Sequence, residues 1–207
     1  QCAEISLRVS GLKPQKWNPI NGKISDLSYR FDGDKTIINL DFESNDAFFI
    51  VLREETDTTS VTIPKVRHEV LKELVINELG CWTENPETRY FSGTRSFRCT
   101  IDVPEHSGSL LLDLGEVYNL AQVFIDGQPV ETLWKTPFRT DITSHIKDKK
   151  SIDLEIRVTN LWVNHLIGDA QKDQSERSSY VSFDFYNGTE PLQKSGLIGP
   201  VTLIEAQ

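Results

Sequence analysis

Two stretches of strict alternation constrain this chain more than any other feature in it. From Ser96 to Val103, Phe97, Cys99, Ile101 and Val103 alternate with polar neighbours, and from Ser151 to Thr159 the same holds for Ile152, Leu154, Ile156 and Val158. A period of two puts every apolar side chain on one face of a strand, so both read as half-buried β-strands. Pro104 ends the first, because it has no N–H to give the ladder. Ala121, Val123 and Ile125 repeat the pattern and run into Asp126-Gly127, a two-residue hairpin signal. Leu110 to Leu114, Tyr180 to Tyr186 and Gly199 to Ile204 are further strand candidates. So many short strands, with turns between them and few helical stretches, predict an all-β fold: an antiparallel jelly-roll β-sandwich.

The first part of the chain carries a smaller β set. Ile5, Leu7 and Val9 alternate, Asn21-Gly22 and Asp32-Gly33 mark turns, and Ile37 to Phe42 and Ala47 to Leu52 read as strands. The run Ala47 to Leu52 is continuously apolar, which predicts burial on both faces. A polar stretch, Arg53 to Ser60, then marks the expected boundary between a small β segment (1–60) and the sandwich (61–207). Roughly 60 residues seldom hold a core alone, so the first segment is expected to be the end of an upstream β domain. Val66 to Leu79 fits either a helix or a strand.

The formal net charge is -9, which disfavours phosphate backbones as partners and so argues against a nucleic-acid binder. No apolar run approaches the roughly 20 residues of a membrane helix. Cys2, Cys81 and Cys99 make no CxxC pair and cannot build a disulfide framework, although one bridge is open to an exported protein. Cys99 sits on the apolar face of its strand and reads as a small buried residue. Nucleophile-elbow, phosphate-loop and zinc-protease motifs are absent.

Several segments, taken in order, resemble one known module. They are Arg89 to Thr94, Leu112 to Val117, Val123 to Gly127, Leu133 to Thr143, Val158 to Asp169 and Ser195 to Val201. The module is the galactose-binding-like jelly roll of family 2 glycoside hydrolases and, more closely, of the α-L-rhamnosidase-like family 106. Upstream, Leu7 to Gly11 and Pro14 to Pro19 are also similar to a segment that closes a β domain in that family. The resemblance implies a non-catalytic accessory domain of an exported bacterial polysaccharide-degrading enzyme, periplasmic, cell-surface or secreted. Its partners would be the catalytic module of the same parent chain and an oligo- or polysaccharide. The resemblance places no catalytic residue here, and no cofactor beyond a structural calcium that loop Asp, Asn and carbonyl oxygens could hold. His165 stands where the family commonly has Arg, which implies a weaker or pH-dependent ion pair there.

Sugar recognition uses flat aromatic faces and planar polar groups, so the candidates for carbohydrate binding or domain docking are Trp82, Trp134, Arg139, Trp162, Asn164, His165 and Asp169. Trp82 lies in a polar loop and is expected to be exposed. Trp134 and Trp162 suit either a binding loop or an anchor onto the core. Asn160, Trp162, Asn164, His165 and Asp169 form the densest polar cluster, for which turn-making, domain contact and sugar binding all remain open. Arg139 and Asp141 are expected to form an ion pair. His165 and Asp169 stand four apart, on one face if the segment is helical, with no third metal ligand evident. The rival readings are a stand-alone lectin-like module and a hydrolase in its own right.

Overall fold

The computed structural model describes residues 2–43 and 46–207. They form two compact units, one reaching to Val66 and one spanning Arg67–Gln207.

The described residues of the first unit form the strands β1 (Cys2–Leu7), β2 (Leu12–Trp17), β3 (Ile24–Asp26), β4 (Tyr29–Asp32), β5 (Lys35–Asp41), β6 (Phe49–Glu55) and β7 (Ser60–Val61). They make one sheet in the order β1-β5-β4-β7 and another in the order β3-β2-β6, around a core of Tyr29, Ile38 and Leu40. Because Ser60–Val61 pairs with Tyr29–Arg30, the first unit runs past Ser60 to Val66. The apolar run that leads into β6 is not buried on both faces. Among the described residues β6 pairs only with β2, at the sheet edge, and Phe49 is exposed, so continuous hydrophobicity here marks an edge strand.

The second unit is a β-sandwich. Its strands are β8 (His68–Glu73), β9 (Thr94–Asp102), β10 (Ser109–Asp113), β11 (Glu116–Tyr118), β12 (Leu120–Ile125), β13 (Gln128–Leu133), β14 (Arg139–Asp141), β15 (Ser151–Thr159), β16 (Gly196–Gly199) and β17 (Thr202–Ala206). The helices α1 (Thr143–Ile146) and α2 (Val163–Ala170) lie between strands. One sheet has the order β14-β10-β17-β8 and the other β13-β12-β15-β9, while β11 pairs with β16. Leu110, Leu112 and Leu203 from the first sheet share a core with Phe97, Val123, Leu154 and Ile156 from the second. The alternation of β15 sets its register: Ile152, Leu154 and Ile156 lie opposite Ile101, Cys99 and Phe97 of β9. Asp126 (φ 50°) and Gly127 (φ 76°) both take left-handed backbone, as the tight hairpin between β12 and β13 requires.

One open expectation is resolved, and two expected strands differ. Val66 to Leu79 contributes the edge strand β8, with Leu74 and Ile76 buried just beyond it. Gly199 to Ile204 is not one strand: it spans the end of β16 and the start of β17, separated by Pro200-Val201. Tyr180 to Tyr186 is not a strand at all but part of an irregular loop after α2, held by side chains instead of a ladder.

Candidate functional site

Four of the candidates, Trp162, Asn164, His165 and Asp169, come together at α2, while Trp82, Trp134 and Arg139 lie elsewhere in the second unit. Asn160, just after β15, accepts the Gly93 N–H through Oδ1 at 2.9 Å and donates Nδ2 to the Phe91 carbonyl at 2.8 Å. Asn164, in the first turn of α2, makes the same reciprocal clasp with Gln193, donating to its carbonyl at 2.6 Å and accepting its N–H at 2.8 Å. Both asparagines are therefore buried ties between loops. Gly168 lets α2 lie against Tyr90, since a Cβ there would sit 2.6 Å from Tyr90 Cγ.

Asp169 is the hub of this cluster. Its side chain is buried, yet it accepts the Ser178 N–H at 2.9 Å and the Ser179 N–H and Oγ–H at 2.7 Å each. Lys172 Nζ, one turn on, lies 2.7 Å from Oδ1, and His165 Nε2, one turn back, lies 3.5 Å from Oδ2. Burial opposes the charge, but the bonds from Lys172 and Ser179 and the nearby His165 outweigh it and hold the carboxyl well below the usual Asp range. The loop after α2 is thus fastened by one ionised carboxylate. His165 does meet Asp169, and its ring also lies 3.1 Å from Ser178 Oγ. Gln171 adds a tie by donating Nε2 to the Gly188 carbonyl at 2.9 Å.

The tryptophans sort differently from expectation. Trp82 is only 2% exposed, in a short 3-10 turn, with its ring edge-on to Phe91 and its indole against Gly196. It is a core anchor, because Gly196 leaves the space that a side chain would fill. Trp134 and Trp162 are 57% and 62% exposed, so neither is held in the core. Arg139 does not pair with Asp141. It grips Asp113 Oδ2 through Nε at 2.9 Å and Nη2 at 2.5 Å, while Asp141 accepts from Thr143. Arg139 is thereby a fastening between β10 and β14.

The loop that sequence alternation misread as a strand holds three exposed aromatics. Tyr180 is 94% exposed, Phe183 61% and Phe185 66%, and the last two rings are 4.1 Å apart. Arg177 Nη1 and Asp184 Oδ1 pair at 2.7 Å beside them. Tyr180, Phe183, Arg177 and Asp184, with Gln174 and Ser182, line a hollow of about 470 Å³.

The other well-partnered carboxylates are equally committed. On β15, Glu155 takes bonds from Arg157 and Arg98, and the former above all draws its pKa down to about 2. Glu205 accepts the N–H groups of Gly108 and Ser107, which bring it down to about 2 as well. A general acid needs a carboxyl whose proton is retained near neutral pH, and these environments do the opposite. Among the described residues no group of three His, Cys, Asp or Glu is placed to hold a metal, all three cysteines are free, and no helix is long and apolar enough to cross a membrane.

The comparisons with known proteins agree with this architecture. The chain is a β-sandwich protein similar, in fold and sequence together, to a region of glycoside hydrolases. A solved rhamnosidase from Novosphingobium sp. PP1Y superposes with a TM-score of 0.84 at 33% identity, over 99% of this chain and 21% of that one. A putative β-glucuronidase from Formosa agariphila is 37% identical over 69% of this chain, which corresponds to 14% of the relative. The chain therefore spans only a small part of the proteins it resembles. No protein-family model matches it.

Proposed function

We propose that this chain is a non-catalytic accessory domain of a larger, exported bacterial glycoside hydrolase of the α-L-rhamnosidase-like kind, acting on plant-type or other complex polysaccharides. The observation that carries the reading is the near-complete match of this chain to one fifth of a rhamnosidase. In this reading the first unit is the end of a β domain, the sandwich follows it, and the acid and base of hydrolysis lie outside both. The saturated, ionised states of Asp169, Glu155 and Glu205 support it, since none of them is free to deliver a proton. Exposed Trp134, Leu161 and Trp162 offer apolar surface for the neighbouring catalytic module.

A stand-alone lectin-like module is the second reading, favoured by those same exposed indoles. The test compares the 207-residue chain with the longer polypeptide proposed to contain it, using an aryl α-L-rhamnoside. The chain alone is expected to show no turnover and the longer polypeptide to hydrolyse the substrate. Turnover by the chain alone, abolished by a substitution within it, would overturn the proposal.

A further inference from the structure

We infer that the hollow within residues 174–184 is a saccharide subsite, taking one neutral pyranose ring of an oligosaccharide. The inference rests on the accessory-domain reading above and adds a place and a ligand chemistry to it. Its volume, about 470 Å³, falls within the range of small-molecule sites. Tyr180 and Phe183 hold aromatic faces in solvent at its wall, where they can cover the C–H face of a sugar.

At the same wall Arg177 and Asp184 are paired at 2.7 Å, which sets a planar donor fork beside a carboxylate acceptor. Two adjacent hydroxyls of a pyranose need that combination, one accepting and one donating. Because Asp184 offsets the charge of Arg177, the hollow does not favour a phosphate or a free carboxylate. The side chains of Gln174 and Ser182 make no hydrogen bond among the described residues and remain able to meet further hydroxyls.

The walls are also held in place before any ligand arrives. Asp169 fixes the Ser178 and Ser179 amides from beneath, and Arg177 Nε reaches the Lys172 carbonyl at 3.4 Å. A loop ordered by its own bonds loses less freedom on binding. The larger basin of the sandwich, about 1200 Å³ between Val103–His106 and Asp141–Lys150, has no Tyr, Trp or Phe in its lining and offers no stacking face.

The experiment is a two-dimensional amide NMR titration of the 207-residue chain with methyl α-L-rhamnopyranoside, methyl β-D-galactopyranoside and, as the anion, inorganic phosphate. The expected result is saturable shifts at residues 177–184 with at least one glycoside and none with phosphate. Tyr180→Ala removes a side chain that is almost wholly in solvent, so the fold survives it, and affinity should fall about tenfold. Asp184→Asn should weaken binding comparably, and Val75→Ala, an exposed side chain of the same unit outside the hollow, should leave it unchanged.

Absence of saturable shifts, shifts centred on Trp134 instead, stronger binding of phosphate, or an unaltered Tyr180→Ala variant would each overturn the subsite. So would burial of residues 177–184 by another module in the longer polypeptide, seen as amide-exchange protection there and not in the chain alone. Any of these with the rhamnosidase assay behaving as expected removes the subsite and leaves the accessory reading standing. Hydrolysis by the chain alone removes the reading beneath both.

Discussion

Replacing Asp169 with alanine tests the claim that one carboxylate fastens the loop after α2. The substitution removes the acceptor for two backbone N–H groups, the Ser178 and Ser179 hydroxyls and the Lys172 ammonium. Hydrogen bonds to a charged group contribute about 1.5–3 kcal/mol each when counted singly, but they share one acceptor and do not add. Breaking a buried charge cluster by deleting one member costs about 3–5 kcal/mol, and the loop lies where water can partly replace the lost acceptor, so about 3–4 kcal/mol is expected. For a unit of this size, at about 2–4 °C per kcal/mol, the melting midpoint should fall by about 10 °C.

Urea unfolding followed by tryptophan fluorescence reads this directly in a Trp17→Phe background, since Trp82, Trp134 and Trp162 all belong to the second unit. The pH dependence supplies a second check. The folded pKa of Asp169 is depressed, so its stabilisation is complete above the unfolded value near 4 and is lost as pH falls towards the folded value. The gap between parent and variant should therefore narrow below about pH 4. A gap under about 1 kcal/mol at pH 7, or one that widens on acidification, would refute the reasoning.

Three further outcomes follow from the packing. Gly168→Ala drives a Cβ into Tyr90 and should destabilise the sandwich by about 1–3 kcal/mol in the same urea assay. A double-mutant cycle on Arg139→Ala and Asp113→Ala should return a coupling of about 1–2 kcal/mol, whereas pairing Arg139→Ala with Asp141→Ala should return almost none. Labelling with Ellman's reagent at pH 8 should modify exposed Cys2 first and Cys99 last, because burial pushes the Cys99 thiol up.

The sandwich was legible where one face alone decides a strand. The span Ser151 to Thr159 matches β15 at both ends because each inward residue there is apolar and each outward one is polar. The same rule failed at Tyr180 to Tyr186, where aromatic and polar residues also alternate. A strand needs a partner ladder, and here the chain entering the stretch, at the Ser178 and Ser179 N–H groups, meets Asp169 instead, through contacts nine and ten residues away that no local period reveals. The run Ala47 to Leu52 misled for a related reason, since hydrophobicity does not report how many neighbours a strand has. Trp82 was misplaced because its burial depends on an absent side chain at Gly196, over a hundred positions on. The cluster from Asn160 to Asp169 was visible as a concentration of polar groups, but its partners Ser178, Ser179 and Gln193 were not.

The fastening of the segment between Gln171 and Lys194 also bears on how this end of the molecule can change. Asp169, Asn164 and Gln171 pin it by its main chain, at Ser178, Ser179, Gly188 and Gln193, and main-chain atoms are common to nearly every amino acid. The outward residues between those pins can therefore be exchanged without disturbing the strands below. In effect the domain carries a replaceable cassette, and an engineer wishing to give it a new target would rewrite residues 180–186 and leave the rest alone.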